Sequence, residues 1–339
     1  MVRSGERAYA YAKACGIIGK SFVGRRIGAL RPLSRLSELD RLVFSGAARE
    51  LPERELLPDL ERRIIGRSVN AVLSIVNCFD KPPEFLVLLV RNYEYADLKT
   101  ALASLDGSGK EKEKPPFTDL GRFGTVRFDL WPDIEAMIRG TEFDPIYKNI
   151  YKNHKSRDKA SGTVETALDR HYYQRLWKAL FTLKKTDRLA AEKIIREEIT
   201  LRNAAWALRL RVYYGMNADE VKTYLIDIPG HDELLRDAVA ALDFPLDSRR
   251  EWERWKLEGC LNRETGNWRA DPRSFQNAAA ERLYVLALQY FRRRPLSLDT
   301  VFCFIKLKQF EEDLLTSGAE GLGIGISSRD VFDLLEMDL

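Results

Sequence analysis

Gly16-Ile17-Ile18-Gly19-Lys20-Ser21 ends in Gly-Lys-Ser, the tail of a loop that cradles phosphates. Such a loop needs a further glycine five residues before Gly19 and a strand leading into it. Ala14 stands at the glycine position, and Ala8 to Ala14 reads as helix, so no nucleotide is expected there. Gly321-Leu322-Gly323-Ile324-Gly325 is a dinucleotide loop only in outline, because it follows a helix and lacks the strand–turn–helix context. His154, His171 and His231 do not pair with each other or with a cysteine at metal-ligand spacing. Cys15, Cys78, Cys260 and Cys303 form no Cys-x-x-Cys pair and read as reduced thiols of a cytosolic protein. No Ser/His/Asp or Cys/His arrangement stands out, and no carboxylate pair is set apart from a salt-bridged surface. These residues predict no catalytic centre, no cofactor and no metal.

The polar residues that do recur are spaced as a repeat. Leu60-Glu61-Arg62, Leu168-Asp169-Arg170 and Ala280-Glu281-Arg282 each open a helix-like run. A second run follows with a polar motif: Tyr93-Glu94-Tyr95-Ala96-Asp97-Leu98-Lys99, then Ile199-Thr200-Leu201-Arg202-Asn203, then Phe310-Glu311-Glu312-Asp313-Leu314-Leu315. The steps from Glu61 to Glu94, Asp169 to Thr200 and Glu281 to Glu311 are 33, 31 and 30 residues. Ala167–Leu176 also lies over Ala279–Leu288 with Ala, Arg, Tyr and Leu matched. A repeated helical unit implies repeated architecture. The motif is unequally kept. Glu94 and Glu311 face Thr200 in the middle unit, Asp97 and Asn203 face Leu314, and Lys99 has no basic equivalent except the later Arg209. That inequality argues against a triplicated active site and favours polar staples between helices over direct partner contacts.

The elements that position these residues are helical. Apolar periodicity predicts helices over 8–24, 59–77, 84–105, 163–184, 187–214 and 275–291. Leu168, Tyr172, Leu176, Leu180 and Leu183 make one apolar stripe, and Phe304, Leu307, Phe310 and Leu314 make another. Gly215 is placed to end the fifth helix, and Gly318, Gly321, Gly323 and Gly325 to end the helix after Ser297. Glu198 and Arg202 are set for an i,i+4 pair. A last short helix is expected from Ser328 to Met337. Pro58 reads as a break, Gly107–Pro116 as a linker, and Thr125–Leu130 as either a strand or a connector. The units are then 1–106, 161–227 and 228–339, with 107–160 a linker and connecting segment.

The 339 residues are 45% hydrophobic, enough for a substantial core, and 55 basic against 51 acidic side chains leave a formal charge of only +4. That balance excludes a strong polyanion binder. Arg249-Arg250 and Arg254 among Trp252, Trp255 and Trp268 could suggest RNA, but read better as helix packing. Phe85–Val90 is the most apolar stretch, far short of a bilayer span, and no signal peptide is seen. Arg292-Arg293-Arg294 closes a helix, where cations meet the negative end of its dipole. An acidic partner or phospholipid headgroups are the sharper reading of those arginines.

Taken in order, the motifs resemble the C subunit of archaeal and bacterial V-type ATPases, whose eukaryotic counterpart is subunit d. The resemblance rests on the three motif-bearing helices, on Leu168-Asp169-Arg170-His171-Tyr172-Tyr173 at the start of the middle unit, and on the Pro295-Leu296-Ser297 turn. It covers the chain from about Tyr9 to Leu335. It implies an all-α fold of three pseudo-symmetric helical-bundle units forming a funnel or socket. It further implies a rotor part without chemistry or cofactor of its own, peripheral on the cytoplasmic face of the membrane. There it would sit between central-stalk subunits D and F and the proteolipid ring, with no nucleic acid as partner, and transmit torque. Glu94, Asp97, Lys99, Asn203, Arg209, Glu311 and Arg292–Arg294 are then the candidate interface or repeat-motif residues. A helical scaffold for helical or acidic partners, or an all-α enzyme with an unrecognised site, would share the composition.

Overall fold

A computed structural model describes residues 4–46, 49, 51–106, 114–153, 157–262 and 267–327. Its α-helices are α1 (Ser4–Ile18), α2 (Leu36–Phe44), α3 (Glu53–Val76), α4 (Glu84–Asp106), α5 (Ile134–Ile138) and α6 (Phe143–Asn153). They continue as α7 (Arg157–Leu180), α8 (Lys185–Tyr214), α9 (Ala218–Lys222), α10 (Arg236–Ala240), α11 (Pro272–Arg293) and α12 (Leu298–Gly323). Among the described residues there is no strand, so the fold is all-α.

Three pairs of long helices are consecutive in sequence: α3–α4, α7–α8 and α11–α12. Between pairs, α4 packs on α7, α8 on α11, and α12 on α3, so the last long helix returns to the first. Helix α12 also touches α8 and α1. The apolar stripes account for this packing. Leu168, Tyr172, Leu176, Leu180 and Leu183 are all buried, as are Phe304, Leu307 and Leu314. Phe310 stacks on Tyr284, 4.1 Å between centroids. Phe85 of α4 meets Phe302 of α12 at 5.7 Å, and both are fully buried.

Several boundaries differ from the sequence reading, each for a physical reason. Helix α1 stops at Ile18 and does not reach residue 24: turns close through Lys20 N–H to Ile17 and Ser21 N–H to Ile18, and Gly24 at φ +60° then opens a 3-10 segment. Pro58 lies inside α3 and does not break it; α3 starts at Glu53 because Leu56 is needed in the core. Gly318 and Gly321 lie inside α12, buried in its packed face. Gly323 sits so close to Leu57 that a Cβ would stand 2.9 Å from its Cδ2. The helix ends at Gly323, and Gly325 then takes φ +82°. Gly215, at φ +61°, does end α8. Residues 125–130 are a connector with a 3-10 turn at Phe128–Leu130. The expected helix from Ser328 to Met337 and linker residues 107–113 lie outside the described residues.

Trp252, Trp255 and Trp268 form a side core with Phe275. Their indole N–H groups donate to the carbonyls of Pro245, Asp237 and Asn262. With ring faces covered and N–H groups used, these aromatics offer no platform for stacked bases. Removing Phe302 tests the return of α12 to the first pair. Phe302→Ala is expected to lower unfolding free energy by about 3–5 kcal/mol, read from urea denaturation.

Candidate functional site

Residues three apart share a helix face, so Glu94 and Asp97 point from α4 toward the same segment. Glu94 is buried, and its carboxylate accepts hydrogen bonds from the Thr125 N–H, the Thr125 hydroxyl (2.9 Å) and the Val126 N–H (2.6 Å). Asp97 accepts from the Thr118 N–H at 2.6 Å. Burial pushes the Asp97 carboxyl up to about 6, with the Thr118 bonds opposing the rise and the charge of Glu94 adding to it. Together they hold 118–126 against α4.

The middle unit does the same with an amide. Asn203 is fully buried on α8, donates from Nδ2 to the Ile226 carbonyl at 2.9 Å, and accepts from the Ile226 N–H at 2.8 Å. In the third unit Glu311 of α12 accepts from the Phe22 N–H at 2.7 Å. Its charge is met by Lys308 and by Arg67 of α3, 3.5 Å away. Burial pulls the Lys308 ammonium below its ordinary range despite the Glu311 partner. Each unit's second helix thus clamps the backbone of a non-helical segment.

The unequal motif now has a geometric account. Glu at the first position and Asn at the second reach equivalent work, because Glu is one methylene longer. Thr200 and Leu314 lie buried and leave the clamp to the other position. The third segment comes from near the N-terminus, which the linear repeat could not reveal. It also absorbs Gly-Lys-Ser: Ser21 donates to the Ile17 carbonyl and accepts from Lys308 Nζ at 3.3 Å, while Lys20 is exposed. Lys99 turns instead to Asp169 on α7 at 2.5 Å, and Arg202 of α8 reaches the other oxygen of Asp169 at 3.4 Å. The acid that opens the middle unit therefore joins α4, α7 and α8.

Residues 46–330 match the family described as ATP synthase (C/AC39) subunit. The chain belongs to that family. It is the family of the V-type ATPase C/d subunit, a non-catalytic part of the ATPase. A protein of Treponema pallidum (strain Nichols) described as uncharacterised is 29% identical over 323 residues, which span 94% of this chain and 92% of that protein.

Within this C/AC39 chain, a second polar group escaped the sequence reading. Glu198 does not take Arg202 as its chief partner. It takes Lys306 of α12 at 2.7 Å and the Tyr173 hydroxyl at 2.9 Å. Nearby, Tyr93 donates to Glu312 at 2.9 Å. Burial pushes Glu312 up to about 7, partly offset by its Ser68 and Tyr93 hydrogen bonds. Asp313, next to it on α12, is exposed. Glu198 also lines a groove of about 350 Å³ between α8 and α11, together with Arg202, Trp206, Arg209, Gln276 and Leu283. Arg209 is exposed, its guanidinium 5.7 Å from the Trp206 ring centre. The signal available in sequence was the coincidence of charge with apolar stripe on α8 and α12.

The remaining candidates lie elsewhere. Arg292 and Arg293 are exposed at the end of α11, and Arg294 stands 3.7 Å from Asp299. His171 bonds through Nδ1 to the Tyr95 hydroxyl at 2.8 Å, and burial lowers its pKa. His154 lies outside the described residues. Among the described residues no group of three or more His, Cys, Asp or Glu is placed to hold a metal.

Two variants test these assignments. Asn203→Asp sets a carboxylate oxygen against the Ile226 carbonyl and should cost roughly 3 kcal/mol at pH 8. The cost should shrink toward pH 4, where the protonated acid can donate to that carbonyl; denaturant midpoints at both pH values check it. Glu312 holds a proton in the fold that the unfolded chain releases, so its penalty grows as pH rises from the ordinary carboxyl range through about 7. Glu312→Gln should therefore gain thermal stability over the parent protein as pH goes from 5 to 8, and a gap that narrows with pH would contradict the assignment.

Proposed function

We propose that this chain is the central-rotor coupling subunit of a rotary V-type ATPase. It receives the central stalk, subunits D and F, on one side and sits on the membrane proteolipid ring on the other. Torque then passes through it between ATP turnover and ion transport. Membership of the C/AC39 family supports this reading. The structural observation that carries it is the closed order of three helix pairs, each tied by a buried clamp at Glu94, Asn203 or Glu311.

A torque-bearing part must resist shear, and buried, fully satisfied polar contacts between close-packed helices resist it better than apolar contacts alone. The units are 1–106, 161–227 and 228–339 joined by 107–160, with the stretch around Phe22 serving the third. The groove lined by Trp206, Arg209 and Gln276 offers a stalk helix both apolar surface and charge. No helix among the described residues is long and apolar enough to cross a membrane. In this reading the chain is a peripheral subunit at the cytoplasmic face, held by its partners.

Affinity purification of the tagged chain from gently solubilised membranes is the test. Subunits D and F and the proteolipid should co-purify, and Arg209→Glu should reduce recovery of D and F several-fold while the proteolipid stays bound. A chain recovered without any rotary subunit would sink the reading.

A further inference from the structure

The turn inside each helix pair comes to one end of the molecule. Pro83 from the first turn, Lys184 from the second and Leu296 from the third line a single open groove of about 640 Å³, with Ser4 and Arg7 of α1 at its edge. Four helix N-termini, of α1, α4, α8 and α12, and three C-termini reach this end, so their dipoles largely offset one another and side chains set most of the charge. Arg7 is spent on Asp187 (2.6 Å), Arg188 on Glu192, and Arg294 on Asp299. Glu84 is met by Arg175. Lys81, Lys184, Lys185, Arg292 and Arg293 remain exposed, and among the described residues no acid pairs with them. Glu6 at this end accepts from the Asp80 N–H.

Apolar groups stand among these cations. Leu296 is 49% exposed and Phe181 38%. Leu296 also takes φ +69°, a left-handed conformation that costs a branched side chain about 1–2 kcal/mol. A strained backbone that holds a leucine out in water marks a position kept for contact.

We infer that this end is a membrane-surface face whose ligand is the anionic phospholipid headgroup, with Leu296 and Phe181 entering the interface. Long, separately tethered ammonium and guanidinium groups around exposed apolar residues suit a fluid layer of phosphates. An acidic protein surface would instead call for fixed, paired geometry. The inference rests on the meeting of the three turns and not on the stalk reading. A chain that co-purifies with rotary subunits yet ignores lipid would refute it alone.

The experiment is co-sedimentation of the full chain with vesicles of phosphatidylcholine, with and without phosphatidylglycerol. Binding should require phosphatidylglycerol and weaken as salt rises. Each lost cation should lower partitioning about fivefold, so K184A/K185A should bind on the order of 25-fold more weakly. Leu296→Gly should bind several-fold more weakly while its thermal stability rises, because the strain is removed. Equal binding to neutral vesicles, no binding to anionic ones, or K184A/K185A binding like the parent protein would overturn the inference. So would full displacement from vesicles by inorganic phosphate at matched ionic strength, which would assign a free-anion site. Capture by an immobilised acidic protein without vesicle binding would assign a protein partner instead.

Discussion

A polar group buried on a helix is costly unless hydrogen bonds replace those it gave up to water, and the three clamps of this structure meet that requirement. Glu94 replaces its water with three donors from 125–126, and Asn203 with both backbone groups of Ile226. Glu311 takes the Phe22 N–H and two cations. In each case the donor lies in a segment with no helix to satisfy its own backbone. The clamp therefore solves two problems together: the helix loses a desolvation penalty, and the segment loses orphaned N–H groups. The cost of breaking either side falls on both, which makes these contacts specific as well as stabilising.

That logic explains why the units can diverge in sequence while keeping one arrangement. What is held constant is a buried acceptor on the inner turn of the second helix, facing backbone N–H groups. Glutamate supplies it from one helical position and asparagine from the position three residues on. Charge is optional, provided it is paired: Glu311 brings Lys308 and Arg67 with it, whereas Asn203 needs no cation. The second polar layer, Glu198 with Lys306 and Tyr93 with Glu312, then links the units to each other.

Much of the architecture was legible in the sequence because its carriers are periodic. The stripe from Leu168 to Leu183 is buried as its spacing demands, and Gly215 ends α8 through its positive φ. The repeat spacing marked the clamp residues before their partners were known. Their partners were not legible, because Ile226, Val126 and Phe22 act through backbone groups that every residue carries, as Thr125 does in part. The Glu198–Arg202 spacing suggested a pair along one helix, but a nearer cation on α12 took Glu198, since tertiary contact outweighs an exposed i,i+4 pair. Gly318 and Gly321 suggested a helix end, yet both lie buried inside α12, and it is Gly323, against Leu57, whose small size the packing requires.

The three clamps also differ in reach along the chain, and the difference ranks them in assembly. Glu94 and Asn203 bind backbone 31 or 32 and 23 residues away, within or just beyond their own units. Glu311 binds Phe22 across 289 residues. Loop-closure entropy rises slowly with separation, so the long clamp costs only modestly more to close than the short ones. What it cannot do is form before α12 exists. Its contacts with Arg67 on α3 and with Ser21 and Phe22 near the N-terminus bring the last long helix and the first segments together in one buried cluster. The first two units can satisfy their polar groups locally. The third draws on the start of the chain and on α3 as well, so the order of helix pairs closes at the buried Lys308–Glu311 pair.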